Sequence, residues 1–288
     1  MVIIRNFKIT ILIFSMFYRD TIIYWVKSIL QALFATSFTW FVTAVGASLV
    51  FLLKGMNRKF FDGMLGFAAG VMLAASYWSL LSPAIELTSN DEFLPWLPVA
   101  IGFLLGGITI RIIDKIIPHI HPNLPPVSTE GPKTKLKTSN LLVLAITIHN
   151  IPEGLAIGVA FGAASLGLPE ATLGAAISLA IGIGLQNFPE GFAVSMPLKQ
   201  QGYSSRKSFF YGQLSASVEP LAGVAGALFV FIAQPLLPYV LSFAAGAMIF
   251  VVAEEVIPES HRRGNVDLST LFLLFGFVLM MILDVSLG

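Results

Sequence analysis

Cysteine is absent from this 288-residue chain, and charged residues make up only 11% of it. Without cysteine there are no disulfides and no thiolate metal ligands. Soluble domains carry roughly 25% charged residues, so an ordinary soluble globular fold is excluded. The chain has four histidines, too few for a membrane di-iron oxygenase, and it contains neither an HExxH motif nor a phosphate-binding loop. We therefore expect no enzyme, no organic cofactor and no nucleic-acid partner.

Apolar residues are abundant, at 56% of the chain, and the mean hydropathy is +0.84. A spanning helix uses ~20 apolar residues, so the composition predicts an all-α polytopic membrane bundle. Apolar runs bounded by charge, Pro or Gly mark eight candidate transmembrane helices, at 29–53, 60–86, 94–117, 140–163, 172–198, 207–232, 236–258 and 267–287.

The N-terminal segment 1–28 holds a possible extra helix near 6–26, which the charges of Lys8, Arg19 and Asp20 weaken. No small-residue cleavage site follows the apolar run in this segment. We therefore expect the segment to be retained rather than removed as a signal peptide.

Basic residues alternate between successive connections. Those after the first, third, fifth and seventh spans hold 13 of the 17 Lys and Arg, whereas those after the second, fourth and sixth hold none. The positive-inside rule then places the 118–139 loop in the cytoplasm and the C-terminus outside. This loop is rich in Pro and polar residues, which indicates a linker between helices 1–3 (29–117) and helices 4–8 (140–288) of one membrane domain. We expect that membrane to be the plasma membrane or a bacterial inner membrane.

Five carboxylates lie well inside the predicted spans without a Lys or Arg near the middle of those spans. At roughly 2.5–3.5 kcal/mol each, they would cost on the order of 12–18 kcal/mol to insert. The alternative is that these acids are neutral, form hydrogen bonds and stabilise helix packing. Apolar residues would stabilise the packing at a smaller cost in free energy. The set therefore indicates a cationic partner. Its members are Glu153, Glu190, Glu219, Glu254 and Glu255.

Two of these acids belong to a repeated motif. HNIPEG occupies 149–154 in the fourth span, and QNFPEG occupies 186–191 in the fifth. Because consecutive spans run antiparallel, the two copies would be related by a pseudo-two-fold axis in the membrane plane, where transporters commonly bind their substrates. This pattern predicts an inverted-repeat transporter fold.

The spacing within the motif suits a metal ion. His149 and Glu153 are four residues apart on one helix face, as are Gln186 and Glu190. Pro152 and Pro189 should kink their helices and free backbone carbonyls. Imidazole, carboxylate and amide groups form a nitrogen and oxygen ligand set for Zn²⁺, Fe²⁺ or Mn²⁺. A simple helix kink is the alternative reading of each proline alone.

A ridge of small residues on the fourth span, Gly154, Gly158 and Gly162, is typical of close helix packing. We expect this ridge to let the two helices that carry the motif come together.

The paired motifs, the Glu219–Pro220 step and EEVIPESH at 254–261 together resemble the ZIP family of divalent metal transporters, in its short-loop, GufA-like branch. The resemblance covers the eight spans. It implies a binuclear metal centre on spans 4 and 5, transport of metal toward the cytoplasm, and an elevator-like movement of spans 1, 4, 5 and 6 against the others.

Ligand roles follow from the resemblance by motif position. The first site would use His149, Glu153 and Glu190. The second would use Asn150, Gln186, Asn187 and Glu219, with Glu153 and Glu190 bridging. Some relatives have Asp at the position of Asn187, which makes the second site less negative in this chain.

An exit path is implied at the cytoplasmic end of the seventh span. Glu254 and Glu255 match its polar positions, and His261 beside Glu259 is a further candidate ligand. His119 and His121 resemble the metal-sensing loops of relatives, although a solvated linker explains them equally well. We expect Asp284, near the outer end of the eighth span, to be solvated.

The sequence leaves several functional questions open. A metal-selective channel or a metal sensor would use the same ligands as a transporter. Zn²⁺ is the expected substrate, with Cd²⁺, Fe²⁺ and Mn²⁺ as candidates, because nitrogen and oxygen ligands discriminate poorly among these ions. The energy source is not encoded, and a homodimer is a candidate assembly.

Overall fold

A computed structural model describes residues 2–55, 57–89, 94–117, 132, 138–262 and 264–288 of the chain. The described residues form eleven α-helices and three short π or 3₁₀ turns. In chain order the helices are α1 (Val2–Leu52), α2 (Arg58–Ala75), α3 (Ser82–Thr88), α4 (Trp96–Ile116), α5 (Thr138–Ala164), α6 (Leu173–Gln200), α7 (Ser205–Leu214), α8 (Glu219–Ile232), α9 (Leu237–Val251), α10 (Ile257–His261) and α11 (Val266–Leu287).

These helices make eight elements long enough to cross a membrane, which confirms the predicted all-α bundle. Among the described residues, seven are also apolar enough: Tyr24–Leu52, Arg58–Thr88, Trp96–Ile116, Val143–Ala164, Ser205–Ile232, Gln234–His261 and Val266–Leu287. The eighth element is α6, which at 28 residues has the length but carries a polar run at its middle. The polar side chains of the second motif copy are what lower its hydropathy.

The N-terminal expectation is wrong in one respect. No separate helix occupies 6–26, because α1 is continuous from Val2 to Leu52. At 1.5 Å per residue this helix is about 76 Å long, more than twice the ~30 Å of a hydrocarbon core. The charges at 8, 19 and 20 do not interrupt the backbone hydrogen bonds, so they do not divide the helix.

Three of the predicted spans are broken rather than uniform helices. A π turn at Ser76–Leu81 joins α2 to α3, and a second one at Val252–Val256 joins α9 to α10. The sixth span is interrupted between α7 and α8, where Pro220 sits in the first turn of α8. Proline has no N–H to continue the ladder of α7, so a new helix begins there with Glu219 at its start.

The crossings pack as two groups. α1, α5, α6, α7 and α8 pack mainly on one another, while α2, α4, α9 and α11 form the other group, with α2 against α11 and α4 against α9. The groups meet where α2 touches α6, α5 touches α9 and α6 touches α11. Small and aliphatic side chains fill this boundary, among them the fully buried Met72, Ile157, Leu179 and Met248.

Glycines permit the closest helix crossings. A Cβ at Gly158 would lie 2.0 Å from the backbone oxygen of Gly223, and one at Gly154 would lie 2.6 Å from that of Glu219. The predicted ridge therefore brings α5 against α8, not against α6 as expected. The close approach on α6 is instead at Gly191, whose Cβ would lie 2.0 Å from the Thr43 carbonyl of α1.

Candidate metal centre

The first motif copy lies on α5, which runs without a break through Pro152. His149, Asn150 and Glu153 are all buried in the bundle, with exposed fractions of 5%, 0% and 0%. A helix places residues four apart on one face, so His149 and Glu153 are stacked one turn from each other.

The second motif copy joins the first through its amide side chains. Gln186 Nε2 donates to Glu153 Oε2 at 2.6 Å and to Asn187 Oδ1 at 2.7 Å. Asn187 Nδ2 then donates to Glu219 Oε1 at 2.8 Å. One continuous hydrogen-bond chain thus links the carboxylates of Glu153 on α5 and Glu219 on α8 by way of α6.

Thr39 of α1, which belongs to neither motif copy and was not predicted, reaches the same hydrogen-bond chain. Its hydroxyl donates to Glu219 Oε2 and its backbone carbonyl accepts from Asn187 Nδ2 at 3.3 Å. The available signal was a stripe of small polar residues, Thr36, Thr39 and Thr43, at helical spacing in an apolar span. All three are buried.

His149 also contacts the seventh crossing. Its Nε2 lies 2.8 Å from Glu255 Oε1 in the π turn between α9 and α10. Asp114, near the end of α4, completes a group in which one ligand atom from each residue lies within 4.8 Å of the others. Among the described residues this is the one group of three His, Asp or Glu side chains with that spacing. The predicted trio of His149, Glu153 and Glu190 is more widely spaced.

Asp114 is a second residue that sequence analysis missed. It is 3% exposed, although Arg111 and Lys115 beside it lie on the exposed face. The signal was helical phase, since the buried residues of α4 recur at 102, 106, 110 and 114. Asp114 therefore continues an inward-facing stripe.

A small cavity connects Glu190 to these groups. Its volume is about 60 Å³, and its polar lining consists of His149, Glu190, Glu255 and Glu259. Apolar side chains such as Phe61 and Val251 form the remaining wall, and none of the described Lys or Arg residues is part of the lining. Room for several water-sized groups beside three carboxylates and an imidazole favours a hydrated or partly hydrated cation.

Several predicted ligands carry polar atoms without a hydrogen-bond partner among the described residues, although those atoms are buried. They are both amide atoms of Asn150, Glu153 Oε1, Gln186 Oε1 and Glu190 Oε2. Buried polar atoms are normally paired, so such a concentration requires an explanation. Four of the five atoms are oxygens, which suits coordination of a metal ion.

The remaining exit candidates lie in different places. Glu254 is exposed, pairs with Arg111 at 3.4 Å and is not part of the cavity lining. Glu259 lines the cavity and is held by Arg58 at 3.9 Å and Arg262 at 3.4 Å. His261 lies 3.5 Å from the hydroxyl of Thr270 and outside the cavity lining. His119 and His121 fall outside the described residues.

The expectation for Asp284 is wrong. Its side chain is buried, at 6% exposed, and accepts a 2.7 Å hydrogen bond from Ser79. The π turn at Ser76–Leu81 directs Ser79 toward α11, which gives the carboxyl a partner inside the bundle.

Known proteins with similar sequences show the family of this chain. The model of the ZIP zinc transporter family matches residues 125–284, more than half of the chain. The human zinc transporter ZIP11 (Homo sapiens) is 43% identical over 91% of this chain and 98% of its own length. The chain belongs to the ZIP family. Two bacterial members are also similar to it. Zinc transporter GufA of Myxococcus xanthus is 39% identical over 85% of this chain and 94% of its own length. Zinc transporter ZIPB of Bordetella bronchiseptica is 37% identical over 85% of this chain and 78% of its own length.

Membership of the ZIP family confirms the expectation drawn from the paired motifs, and it makes the chain an integral membrane protein of a transporter family rather than an enzyme. The family match covers α5 to α11 and therefore includes both motif copies, Glu219 and the π turn that carries Glu255.

Proposed function

We propose that this ZIP protein carries divalent transition-metal ions into the cytoplasm, with Zn²⁺ as its main substrate. The similar proteins from Homo sapiens, Myxococcus xanthus and Bordetella bronchiseptica are each named zinc transporters. Cd²⁺, Fe²⁺ and Mn²⁺ are further candidate substrates because the ligands are nitrogen and oxygen atoms.

The observation that carries the proposal is the set of buried, unpartnered ligand atoms on the two motif copies. Asn150, Glu153, Gln186 and Glu190 all contribute such atoms near the middle of α5 and α6. A divalent cation would satisfy the oxygens of this set and offset the cost of burying carboxylates inside the membrane.

The proposed first site is formed by His149, Glu153 and Glu190. The proposed second site is formed by Asn150, Gln186, Asn187 and Glu219, with Glu153 and Glu190 bridging. In this arrangement the Asn187 nitrogen donates to Glu219 and its oxygen accepts from Gln186, so the Asn187 amide would turn over to present its oxygen to a second ion. We therefore propose that the first site is the one through which the substrate passes.

Release would follow the cavity from Glu190 toward the seventh crossing. His149 is shared between the first site and the group with Asp114 and Glu255, so a small shift of the ion changes its partners without leaving the imidazole. Glu259 lies farther along the same cavity. Glu254, which pairs with Arg111 outside this cavity, would act on the ion only after it has left the cavity.

Two helix groups support an elevator-type movement as the proposed transport step. The motif helices α5 and α6 pack with α1, α7 and α8, while α2, α4, α9 and α11 pack separately. The first group contains the spans 1, 4, 5 and 6 that the family resemblance assigns to the moving part. We also propose that the 118–139 linker and the Lys- and Arg-rich ends of the crossings face the cytoplasm and that the C-terminus lies outside, in a plasma or bacterial inner membrane.

Uptake of radioactive zinc into proteoliposomes tests the proposal. Wild-type protein is compared with Glu190→Ala and with Glu86→Gln, a control at an exposed acid of α3 that hydrogen-bonds only locally to Ser82. We expect saturable uptake that Glu190→Ala abolishes and Glu86→Gln leaves intact. Excess unlabelled Cd²⁺, Fe²⁺ or Mn²⁺ then ranks the substrates.

The other outcomes identify the alternative functions. Fast flux that hardly saturates with zinc concentration would indicate a metal-selective channel. Zinc bound by the purified protein without any uptake would indicate a sensor. Uptake unchanged by Glu190→Ala would contradict the assignment of the site.

A further inference from the structure

Thr39 lies on α1, outside both motif copies, and touches two of the predicted ligands. Its hydroxyl can donate to Glu219 Oε2 and to the carbonyl of Thr36 in its own helix, which lies 2.9 Å away. Its backbone carbonyl accepts a hydrogen bond from Asn187 Nδ2 at 3.3 Å. Thr39, Asn187 and Glu219 are completely buried. α1 thus contacts the centre although none of its residues belongs to a metal-ligating motif.

The Thr39 carbonyl determines how the neighbouring amides are oriented. Asn187 faces two acceptors, the Thr39 carbonyl and Glu219 Oε1, and only the amide nitrogen can donate to both. Asn187 Oδ1 is therefore left for Gln186 Nε2, which also donates to Glu153. The amide chain has one direction because its end is fixed on α1.

The Thr39 hydroxyl determines how Glu219 is oriented. Asn187 donates to one carboxylate oxygen of Glu219 and Thr39 donates to the other. A carboxyl group with a hydrogen bond on each oxygen cannot rotate without losing both of these bonds. Removal of the hydroxyl would leave Glu219 held on one side only.

We propose that Thr39 is a positioning residue of the metal centre, whose hydroxyl holds Glu219 in the orientation that the centre uses. Thr39 acts through Glu219 and does not itself bind the ion. The inference rests on the proposed function, since the orientation of Glu219 matters for zinc only if the centre binds it.

Three variants isolate the hydroxyl. Thr39→Val removes it at nearly constant volume, and Thr39→Ser keeps it. Thr36→Val is the matched control, because Thr36 is also fully buried on α1 but its hydroxyl bonds to the carbonyls of Ala32 and Leu33 in its own helix. In the uptake assay we expect Thr39→Val to raise the half-saturating zinc concentration about tenfold, as for loss of one buried hydrogen bond. We expect Thr39→Ser and Thr36→Val to match the wild type.

A double-mutant cycle separates positioning from a general structural effect. If Thr39 acts through Glu219, Thr39→Val causes no further change in a Glu219→Ala background. An equal effect in both backgrounds would overturn the inference, as would a Thr39→Val protein that takes up zinc like the wild type.

Failure of the proposed function gives a different result from failure of this inference. If the wild type takes up no zinc, transport fails, and the same variants are compared by the zinc-induced rise in melting temperature of the purified protein. That rise requires binding but not transport. A smaller rise in Thr39→Val than in Thr36→Val would support the positioning role, and equal rises would contradict it.

Discussion

His149 Nε2 and Glu255 Oε1 lie 2.8 Å apart, which ties the first motif copy on α5 to the π turn between α9 and α10. The two residues were predicted for different tasks, binding and release. Their contact means that the His149 imidazole belongs both to the proposed first site and to the group with Asp114 and Glu255. π turns are frequent at functional sites. In this one Glu255 lines the cavity, whereas the neighbouring Glu254 is exposed and pairs with Arg111.

Glu255→Gln should slow transport more than it weakens zinc binding. The amide fills the same place beside His149 but lacks the charge that would draw the ion onward, so we expect the maximal uptake rate to fall about tenfold. Glu254→Gln is the matched control: its pair with Arg111 is surface-exposed, and loss of such a pair changes the rate by no more than about fivefold. Initial uptake rates at saturating zinc measure the effect of each of the two variants. Equal loss in the two variants would contradict the separate placement of these acids.

Asp114→Asn should weaken binding of a metal ion beside His149, since Asp114 contributes a carboxylate to that group. We expect about a tenfold rise in the half-saturating zinc concentration. Asp267→Asn, at an exposed position in the first turn of α11, provides the control. If the Asp114 variant transports zinc with wild-type kinetics, the group with Glu255 plays no part in the pathway.

Asn187→Asp should make the stability of the protein depend on zinc. The change removes the donor to Glu219 and sets two buried carboxylates against each other, which we expect to destabilise the metal-free protein by roughly 3–5 kcal/mol. A second ion would relieve this repulsion. Thermal unfolding with and without zinc should therefore show a lower melting temperature and a larger zinc-induced rise than in the wild type. A variant that zinc does not stabilise further would argue against a second site.

Gly158→Ala should disturb the crossing of α5 and α8, the helices that carry Glu153 and Glu219. The added Cβ would meet the Gly223 backbone at 2.0 Å, so the helices must separate. Overpacking of this kind costs about 1–3 kcal/mol. Gly55→Ala, which meets no atom within 4 Å, is the control. Comparable melting temperatures of the two variants would show that the crossing has room to adapt.

Much of this architecture could be predicted from the sequence because it depends on long-period signals. The apolar runs defined the crossings, and the motif repeat predicted that α5 and α6 share the site. The break before α8 follows from Pro220. Proline disrupts a helix at its own position, so this effect can be predicted from the sequence alone. The motif even includes the polar run that makes α6 the least apolar of the eight elements.

The rest depended on tertiary contacts that local signals do not show. Asp114 lies between Arg111 and Lys115, so it resembles the charged end of a membrane helix until its burial on the inward face of α4 is known. Thr39 carries no charge, and its contacts with α6 and α8 form only in the folded bundle. The partner of the 154–162 glycine ridge was also predicted wrongly, because a small-residue ridge indicates close packing but does not identify the neighbouring helix.

The most direct test of the account is zinc K-edge X-ray absorption of the purified protein loaded with one equivalent of zinc. We predict nitrogen and oxygen ligands at about 2.0–2.1 Å, one of them an imidazole and none of them sulfur, as in other zinc sites built from His and carboxylates. The imidazole contribution should vanish in His149→Ala, and the carboxylate shell should change in Glu190→Ala but not in Glu86→Gln. A zinc spectrum that is the same in the wild type, His149→Ala and Glu190→Ala would contradict the claim that the paired motifs hold the transported ion.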